Sequence, residues 1–352
     1  MIIYSKSTGQ NPAAIGNLET PIKMIIEHES QALTKAGGIA EQLFNIEKSN
    51  RFGETIVAES EFDVFKAAAE GSAAEADTVK ETYSKFIEHI QFMKEFVITA
   101  EMMEDAQYGI AADTRRRAEA FTRAYYKTMN KLCEHALVNA TNATSAFAGA
   151  SLDLTSPDSL PLFSSSHALS SEAGGASQPN YFYGDIFSTG ASGSRVASVG
   201  AFEESLSALA AKLSGMLDEN GEPLGYTADT IILPGNRPIA ENIAKKVVGT
   251  SYGLGGSYGD VNVHYGNWRI VILPGWICST DSVMIMSSEA NKTLGGNMLF
   301  NRVPLTVTNW VDNHTGNYIW NGRCRFGVGF GSYKHILLAT DSAESISAAT
   351  KL

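Results

Sequence analysis

Polar and apolar residues alternate along residues 54–68 with the period of a β-strand. Residues 78–92 predict a second strand, because Thr, Tyr, Phe and Ile are frequent there. The small residues between the two runs favour a turn. We therefore expect a long hairpin with one charged face, which is marginal alone and needs a second surface to lie on. The acidic members of that face are Glu59, Glu61 and Asp63.

A helical period replaces the alternation further along the chain. Thr99 is placed to cap a short helix over Ala100–Tyr108, which Gly109 would end. A long amphipathic helix is then predicted from Asp113 or Thr114 to about Asn139, since its apolar residues recur every three or four positions. Its basic residues fall largely off the apolar stripe, and they begin with the run Arg115, Arg116 and Arg117.

The first 50 residues predict an extended arm. Pro12, Gly16 and Pro21 are expected to break its start, and Ile22–Leu43 carries helical patches that Gly37 and Gly38 interrupt. We expect no compact core within this arm.

Residues 144–198 contain 14 Ser and 6 Gly and predict a long irregular connection. An α/β pattern follows it, and the chain closes on β-strands. The predicted helices are Ala201–Leu217 and Pro238–Val248, and the predicted strands are Thr230–Leu233, Arg269–Leu273, Ser282–Met286, Leu305–Val311, Tyr318–Phe330 and His335–Thr340.

Composition and charge narrow the class of protein. With 44% hydrophobic and 18% charged residues the chain can bury a core, and its net charge of −11 excludes a uniformly basic nucleic-acid binder. Residues 51–110 carry 13 acidic and 5 basic side chains, whereas residues 111–140 carry 3 and 6. This asymmetry fits complementary surfaces between copies of the chain, and it equally fits two solvated faces. The short arginine run fits a solvated helix start or an acidic neighbour better than nucleic acid.

The sequence offers little that resembles an active site. Three serines precede His167 at 164–166, but the GxSxG elbow of a hydrolase is absent. The glycine runs at 253–256 and 327–331 match no phosphate-binding motif, and the second lies in a predicted strand, where glycine favours close packing.

The sequence also contains no pattern typical of a metal site or of a disulfide framework. Cys133 and His135 stand two apart on a predicted helix and do not share a face, and the three cysteines form no CxxC pair. No secretory leader or run of 18 apolar residues is present, so we expect neither secretion nor a membrane span. We expect a structural protein with no catalytic residue, cofactor or metal.

The order of these parts resembles the major capsid proteins of tailed bacteriophages with the Hong-Kong-phage-type fold. The stretch "FKAAAEGSAAEADTVKETYSKFIEHIQFMKEFVITAEMMEDAQYG" is similar to that family's E-loop, with Glu70 and Gly71 near its tip. "DTRRRAEAFTRAYYKTMNKLCEHAL" takes the place of the spine helix. "LPLFSSSHALSSEAGGASQPNYF" is similar to a stretch of Mu-like major head subunits, and Arg323 stands at the arginine step of the closing strands, "VPLTVTNWVDNHTGNYIWNGRCRFGVGFGSYKHILL".

The resemblance implies an α+β fold whose hairpin and arm reach over neighbouring subunits. Pentamers and hexamers would close into an icosahedral shell around phage DNA, which the shell would contact without specificity. Portal, scaffold and decoration proteins would be partners, and assembly would take place in the cytoplasm of a host bacterium. The implied parts are an arm at 1–50, an E-loop hairpin at 51–95, a peripheral domain with its spine helix at 96–145, a Ser-rich connection or insertion at 146–198, an axial domain at 199–300 and closing strands of the peripheral domain at 301–345.

Side chains expected at contacts between subunits share charge or a place on the hairpin. They are Glu59, Glu61, Asp63, Lys66, Glu70, Gly71, Lys80, Arg115, Arg116, Arg117 and Arg323. Some members of the fold join an E-loop lysine to an asparagine of a neighbour, and Lys66 and Lys80 would be the lysines here. Two other functions stay open: a shell that houses a cargo enzyme, as encapsulins do, and a soluble enzyme that uses residues 199–300.

Overall fold

A computed structural model describes most of the chain, which forms two compact units. The described residues are 3–4, 12–59, 65, 67, 70–71, 81–101, 112–169, 177–184, 186–187, 195–252, 261–278, 280–341 and 350–351. Unit 1 comprises Met1–Glu54, Ile87–Cys133 and Leu299–Val328, and unit 2 comprises Thr55–Phe86, Glu134–Met298 and Gly329–Leu352. The mixture of helices with parallel and antiparallel strands is the α+β class that the sequence predicts.

The first half of the chain alternates helices with strands. Its elements are β1 (Ile3–Tyr4), α1 (Pro12–Ala36), α2 (Ile39–Leu43), β2 (Asn45–Lys48), β3 (Gly53–Glu59), β4 (Glu81–Glu88), β5 (Ile90–Ile98), α3 (Ala112–Val138), β6 (Thr144–Phe147), β7 (Ala150–Asp153), β8 (His167–Ala168), β9 (Ser177–Gln178) and β10 (Tyr181–Tyr183).

The second half carries the α/β pattern and the closing strands. Its elements are α4 (Arg195–Ser214), β11 (Thr230–Pro234), α5 (Pro238–Gly249), β12 (Arg269–Leu273), β13 (Ser282–Met286), α6 (Ser288–Thr293), β14 (Asn297–Val311), β15 (Tyr318–Phe330), β16 (Ile336–Thr340) and β17 (Thr350–Lys351).

The arm contributes to a core, contrary to the sequence prediction. Helix α1 runs through Gly16 and Pro21 without a break. Its residues Ile22 and Ile26 are fully buried in one apolar cluster with Phe121. Tertiary packing of this apolar face outweighs the poor local helix propensity that the prediction relied on.

A five-stranded sheet in the order β1-β14-β15-β5, with β2 also paired to β14, lies beside that cluster. The predicted long amphipathic helix is confirmed as α3, and its Phe121 packs with Trp320 of β15. Gly322 of β15 is required there, because a Cβ atom at this position would overlap the Phe121 ring. Gly327 likewise lies against the His89 ring, so the prediction of close packing at this glycine is confirmed.

Both predicted strands of the hairpin are present among the described residues, the first as β3 and the second as β4 followed by β5. Strand β3 ends at Glu59, and the predicted second strand divides at His89 into β4 and β5, which belong to different sheets. The predicted strand residues 60–64, 66, 68 and 78–80 lie outside the described residues, as do residues 102–108 of the predicted short helix.

Unit 2 is built on a mixed six-stranded sheet in the order β12-β11-β13-β16-β10-β17. Every residue of β11, β13 and β16 is buried. Helices α4 and α5 pack on this sheet through one large apolar cluster that includes Phe202 and Val247. The predicted strands Arg269–Leu273 and Ser282–Met286 are confirmed as β12 and β13.

The Ser-rich segment is more ordered than predicted. Five short strands, β6 to β10, occur within it, and β10 joins the six-stranded sheet. Leu152, Leu154 and Leu162 are buried, because leucines placed two residues apart supply an inward face that the serine content conceals. No helix among the described residues is both long and apolar enough to cross a membrane.

Candidate assembly surfaces

The β3–β4 hairpin shows an inverted polarity. Its two strands pair with each other and with no other described strand. Along β4 the side chain of Lys85 is buried, whereas the neighbouring Phe86 is 52% exposed. Phe65, between the two strands, is fully exposed, and Val57 of β3 is also classed as exposed. This hairpin therefore buries a lysine and leaves the ring of Phe65 fully exposed, which reverses the usual burial of the two residue types.

Lys85 anchors the hairpin to the Ser-rich segment within unit 2. Its Nζ donates hydrogen bonds to the main-chain oxygens of Thr155 and Asp153 and lies 3.4 Å from Asp153 Oδ1. Burial lowers the pKa of Lys85 most, and the nearby Asp153 carboxylate opposes that shift. The contact fixes the base of the hairpin by polar interactions of a buried ammonium group.

A second polar cluster lies at the start of β3 and the end of β4, within unit 1. The Ser49 hydroxyl donates to Glu54 Oε1 at 2.6 Å and lies 2.8 Å from His89 Nε2. Because the single hydroxyl hydrogen goes to Glu54, His89 Nε2 donates to Ser49 and does not act as its base. The arrangement is therefore structural despite containing Ser, His and Glu. Burial, and then the charge of Arg302, lowers the pKa of His89.

His167, which the sequence places beside three serines, is fully buried and occupied by other partners. Its Nδ1 lies 2.7 Å from Asp158 Oδ2, and its Nε2 lies 3.0 Å from the carbonyl oxygen of Leu162. Its ring stacks on Tyr333 with the centroids 3.8 Å apart. Burial works to raise the pKa of Asp158, but the hydrogen bond and charge of His167 hold it below its usual value. The contact between Asp158 and His167 lies within the Ser-rich segment, and the stacking of His167 on Tyr333 ties that segment to the closing part of the chain, within unit 2.

The structure places only part of the predicted acidic face. Glu59 is the last residue of β3, and Glu70 and Gly71 form a turn in which Glu70 is exposed. Gly71 has φ +84 with open space where a Cβ would lie, so its glycine is needed for the turn conformation and not for packing. The predicted contact residues Glu61, Asp63, Lys66 and Lys80 lie outside the described residues.

The predicted basic residues lie on exposed surfaces of unit 1. Arg115 pairs with Glu119 one turn along α3 at 2.9 Å, and Arg117 donates to the main-chain oxygen of Val97 at 2.6 Å. Arg116 is exposed between them, and Arg323 is exposed on β15. Within one chain, Arg115 thus contacts its own helix and Arg117 contacts β5.

Sequence reasoning missed Lys85, Ser49 and His89, which hold the base of the hairpin. The alternation of side chains along a strand could have predicted the burial of Lys85, since Tyr83, Lys85 and Ile87 lie on one side of β4. Among the described residues, no group of three or more His, Cys, Asp or Glu is arranged to hold a metal ion.

Comparison with known proteins gave structural neighbours alone. No family model matches the chain, and no curated protein matches it significantly. The capsid of Myoviridae phage XM1 is 13% identical, with a TM-score of 0.49 over 87% of this chain and 92% of that one. A phage-related protein from Bordetella bronchiseptica is 11% identical, with a TM-score of 0.48 over 90% of this chain and 96% of that one. A virus-like particle protein from Pyrococcus furiosus is 8% identical, with a TM-score of 0.48 over 90% and 97%. The function is therefore argued from the geometry of this chain.

Proposed function

We propose that this chain is the major capsid subunit of a tailed bacteriophage, a structural protein that assembles through pentamers and hexamers into an icosahedral shell around double-stranded DNA. The observation that carries the proposal is the β3–β4 hairpin, which is fixed at its base and fully exposes Phe65. A neighbouring subunit supplies the surface that such a hairpin lacks. Many such contacts, each weak, together hold a shell.

The rest of the chain takes the parts that a shell subunit requires. In this proposal unit 1 holds the arm and most of the spine helix α3, and the six-stranded sheet of unit 2 is the axial domain around which rings form. Portal, scaffold and decoration proteins are the partners, DNA is contacted without specificity, and the protein is a component of the virion assembled in the host cytoplasm.

The test compares the full chain with a hairpin variant in which residues 60–80 are replaced by a short Gly-Ser turn. Both are produced alone and with scaffold candidates, and are examined by light scattering and negative-stain electron microscopy. Shells, tubes or rings are expected from the full chain and should be absent from the variant. The variant should still show a cooperative thermal unfolding transition, which indicates that the subunit itself is folded. Closed shells that retain a cargo protein would favour an enzyme compartment. A chain that stays monomeric under every condition would refute the proposal.

We further propose that the acidic hairpin and the arginines at the start of α3 set the register between neighbours. Arg116→Glu with Arg117→Glu should lower the yield of shells most strongly at low salt, since screening weakens exposed charges. Lys127→Glu is the matched control, because it reverses an exposed charge on the same helix. Hairpin changes Glu59→Arg with Glu61→Arg should restore assembly of the arginine variant. Unchanged shells from that variant across salt concentrations would refute this register.

A further inference from the structure

Two exposed apolar patches lie at opposite ends of helix α5 in unit 2. Patch A surrounds the C-terminal end and consists of Tyr252, Val261, Val263 and Tyr265, whose side chains are 53% to 80% exposed. Patch B lies at the N-terminal end and consists of Ile239 and Ile277, which are 67% and 76% exposed. Because α5 has 12 residues, its ends are about 18 Å apart.

Patch A is held firmly by the residues that alternate with it. Asn262 is buried and donates to the main-chain oxygens of Val247 and Thr250, at the end of α5. His264 is also buried, and its Nε2 lies 2.8 Å from the Ser207 hydroxyl of α4. Trp268 Nε1 donates to His264 Nδ1 at 3.1 Å, which fixes the ring from its other side. The buried Asn262 and His264 anchor the segment, and the neighbouring Val261, Val263 and Tyr265 are exposed around them.

Patch B is also fixed in place. Ile239 is the second residue of α5, and Ile277 follows β12. The two loops that carry them are joined, because Asn236 Nδ2 donates to the Cys278 main-chain oxygen at 2.8 Å and Arg237 reaches the same oxygen at 3.4 Å. Neither isoleucine therefore depends on a free loop for its exposure.

Charge identifies a second copy of the chain as the occupant. With a net charge of −11, two copies repel except where they meet by faces poor in charge. Residues 249–268 contain one charged residue, Asp260, and residues 273–280 contain none. The side chains of patch A offer on the order of 400–500 Å², the size of the largest apolar patch on a typical monomer, which is often functional. That is roughly half of the ~800 Å² that each partner contributes to a standard interface.

The position of the patches decides the geometry of the contact. If patch A met another patch A, patch B would stay exposed in the pair. Joining patch A of one copy to patch B of the next covers both with a single type of contact, and a contact between two different surfaces repeats into a ring or a filament. We propose that patch A of one subunit packs against patch B of the next and that this head-to-tail junction closes the rings. The inference rests on the proposed shell function, to which it adds the residues that join one subunit to the next.

Two blocked variants of the full chain test the junction. Val261→Asp with Val263→Asp disables patch A, and Ile239→Asp with Ile277→Asp disables patch B. Each should weaken self-association by roughly 30-fold or more, because the contact would take unpaired charges out of water. Ala211→Asp with Asn220→Asp is the matched control, since it adds two charges at exposed positions of the same unit and should change association little.

Mixing the variants distinguishes a head-to-tail contact from a symmetric one. The variant blocked at A still offers patch B, and the variant blocked at B still offers patch A. Sedimentation of the mixture should therefore show heterodimers that grow no further, whereas each variant alone stays monomeric. Homodimers of the variant blocked at B would instead indicate that patch A pairs with itself, and would overturn the proposal.

A photo-crosslinking residue in place of Val263 in the otherwise native chain tests the junction independently. The covalent link captures the contact whether the association is weak or strong. Dimers linked to the peptide that contains Ile239 or Ile277 are expected, and dimers linked elsewhere, or none, would overturn the junction. Crosslinked rings without shells would preserve the junction and refute the shell function. Shells crosslinked elsewhere would do the reverse.

Discussion

The β3–β4 hairpin and the six-stranded sheet of unit 2 stand at opposite extremes of burial. Three strands of the sheet have every residue buried, and Phe202 of α4 closes one face of it by stacking on Phe187 with ring centroids 4.8 Å apart. The hairpin has two strands, exposes Phe65 and Phe86, and is held at its base by the buried Lys85.

Under the proposed function, the difference separates what one chain stabilises from what the assembly stabilises. Burial of apolar surface supports the sheet inside a single subunit. The hairpin is fixed at its base by polar contacts of Lys85, and under the proposed function a neighbouring subunit covers its exposed Phe65. We therefore expect substitutions in the sheet to act on folding and substitutions along the hairpin to act on assembly.

The largest expected effect is on the sheet. Phe202→Ala should lower the free energy of unfolding by about 3–5 kcal/mol, because it removes a fully buried ring and leaves a cavity. Urea unfolding followed by circular dichroism measures the loss. Phe202→Leu is the control and should cost much less, since it keeps most of the volume. A loss below about 1 kcal/mol for the alanine variant would contradict the view of the sheet as the self-sufficient core.

Acid should affect the same core through His335, which precedes β16 and lies 2.9 Å from Asn297 Oδ1 by its Nε2. Burial lowers the pKa of His335 to about 3. The unfolded chain takes up a proton below about pH 6.5 and the folded chain does not, so stability is complete above that pH and falls as the pH drops toward 3. This histidine alone should cost about 2 kcal/mol at pH 5.

The measurement for His335 is unfolding free energy between pH 7.5 and pH 4.5. His335→Gln should reduce the steepness of the decline by about one proton, whatever it costs at neutral pH. His314→Gln is the control, because it makes the same substitution in an exposed turn. An equal slope in the native chain and in His335→Gln would show that this residue is not the source of the acid sensitivity.

The sheet was the more predictable of the two regions. Strands β12 and β13 have the bounds that the sequence predicts. A short apolar run between turn residues is too short for most helices and therefore favours a buried strand. The sequence predicted helical patches only from Ile22 onward, and the earlier part of the helix over residues 12–36 was missed, since Gly16 and Pro21 argue against a helix locally. The burial of Ile22 and Ile26 explains why the helix forms. A short stretch of sequence does not show which of its residues will be buried by distant parts of the chain.

The site residues divide in the same way. The sequence predicts the hairpin and the basic start of α3, because charge and period are local properties. It did not predict that Lys85 would be buried while Phe86 is exposed, although alternation already places Lys85 on the same side as Ile87. A lysine is expected outside, and only its partners Asp153 and Thr155, about 70 positions further along the chain, reverse that expectation.

A smaller and local effect is expected at the base of the hairpin. Lys85→Met should cost about 1–2 kcal/mol, because the main-chain oxygens of Thr155 and Asp153 lose a buried donor. Hydrogen exchange should quicken in β3 and β4 and stay slow in β11 and β13. Lys94→Met, at an exposed position of β5, is the control. Exchange that rises equally in the six-stranded sheet would contradict a local anchor.

The smallest effect on folding, and a large one on assembly, is expected at Phe65. Its side chain is fully exposed in the single chain, so Phe65→Ser should change the free energy of unfolding by less than about 0.5 kcal/mol. Under the proposed function the same ring is buried against a neighbour, so the substitution should reduce the yield of shells while the subunit stays folded. Ala67→Ser is the matched control, because it adds the same hydroxyl two residues away at another exposed position.

Unfolding and assembly are measured on the same preparations of the Phe65 and Ala67 variants. A loss of more than about 1 kcal/mol on Phe65→Ser would mean that the ring packs on its own chain, which would remove the contrast between hairpin and sheet. Unchanged stability with unchanged shells would mean that the contrast is real but that Phe65 lies outside the contact. Only unchanged stability with lost shells places this side chain where a neighbouring subunit completes the hairpin.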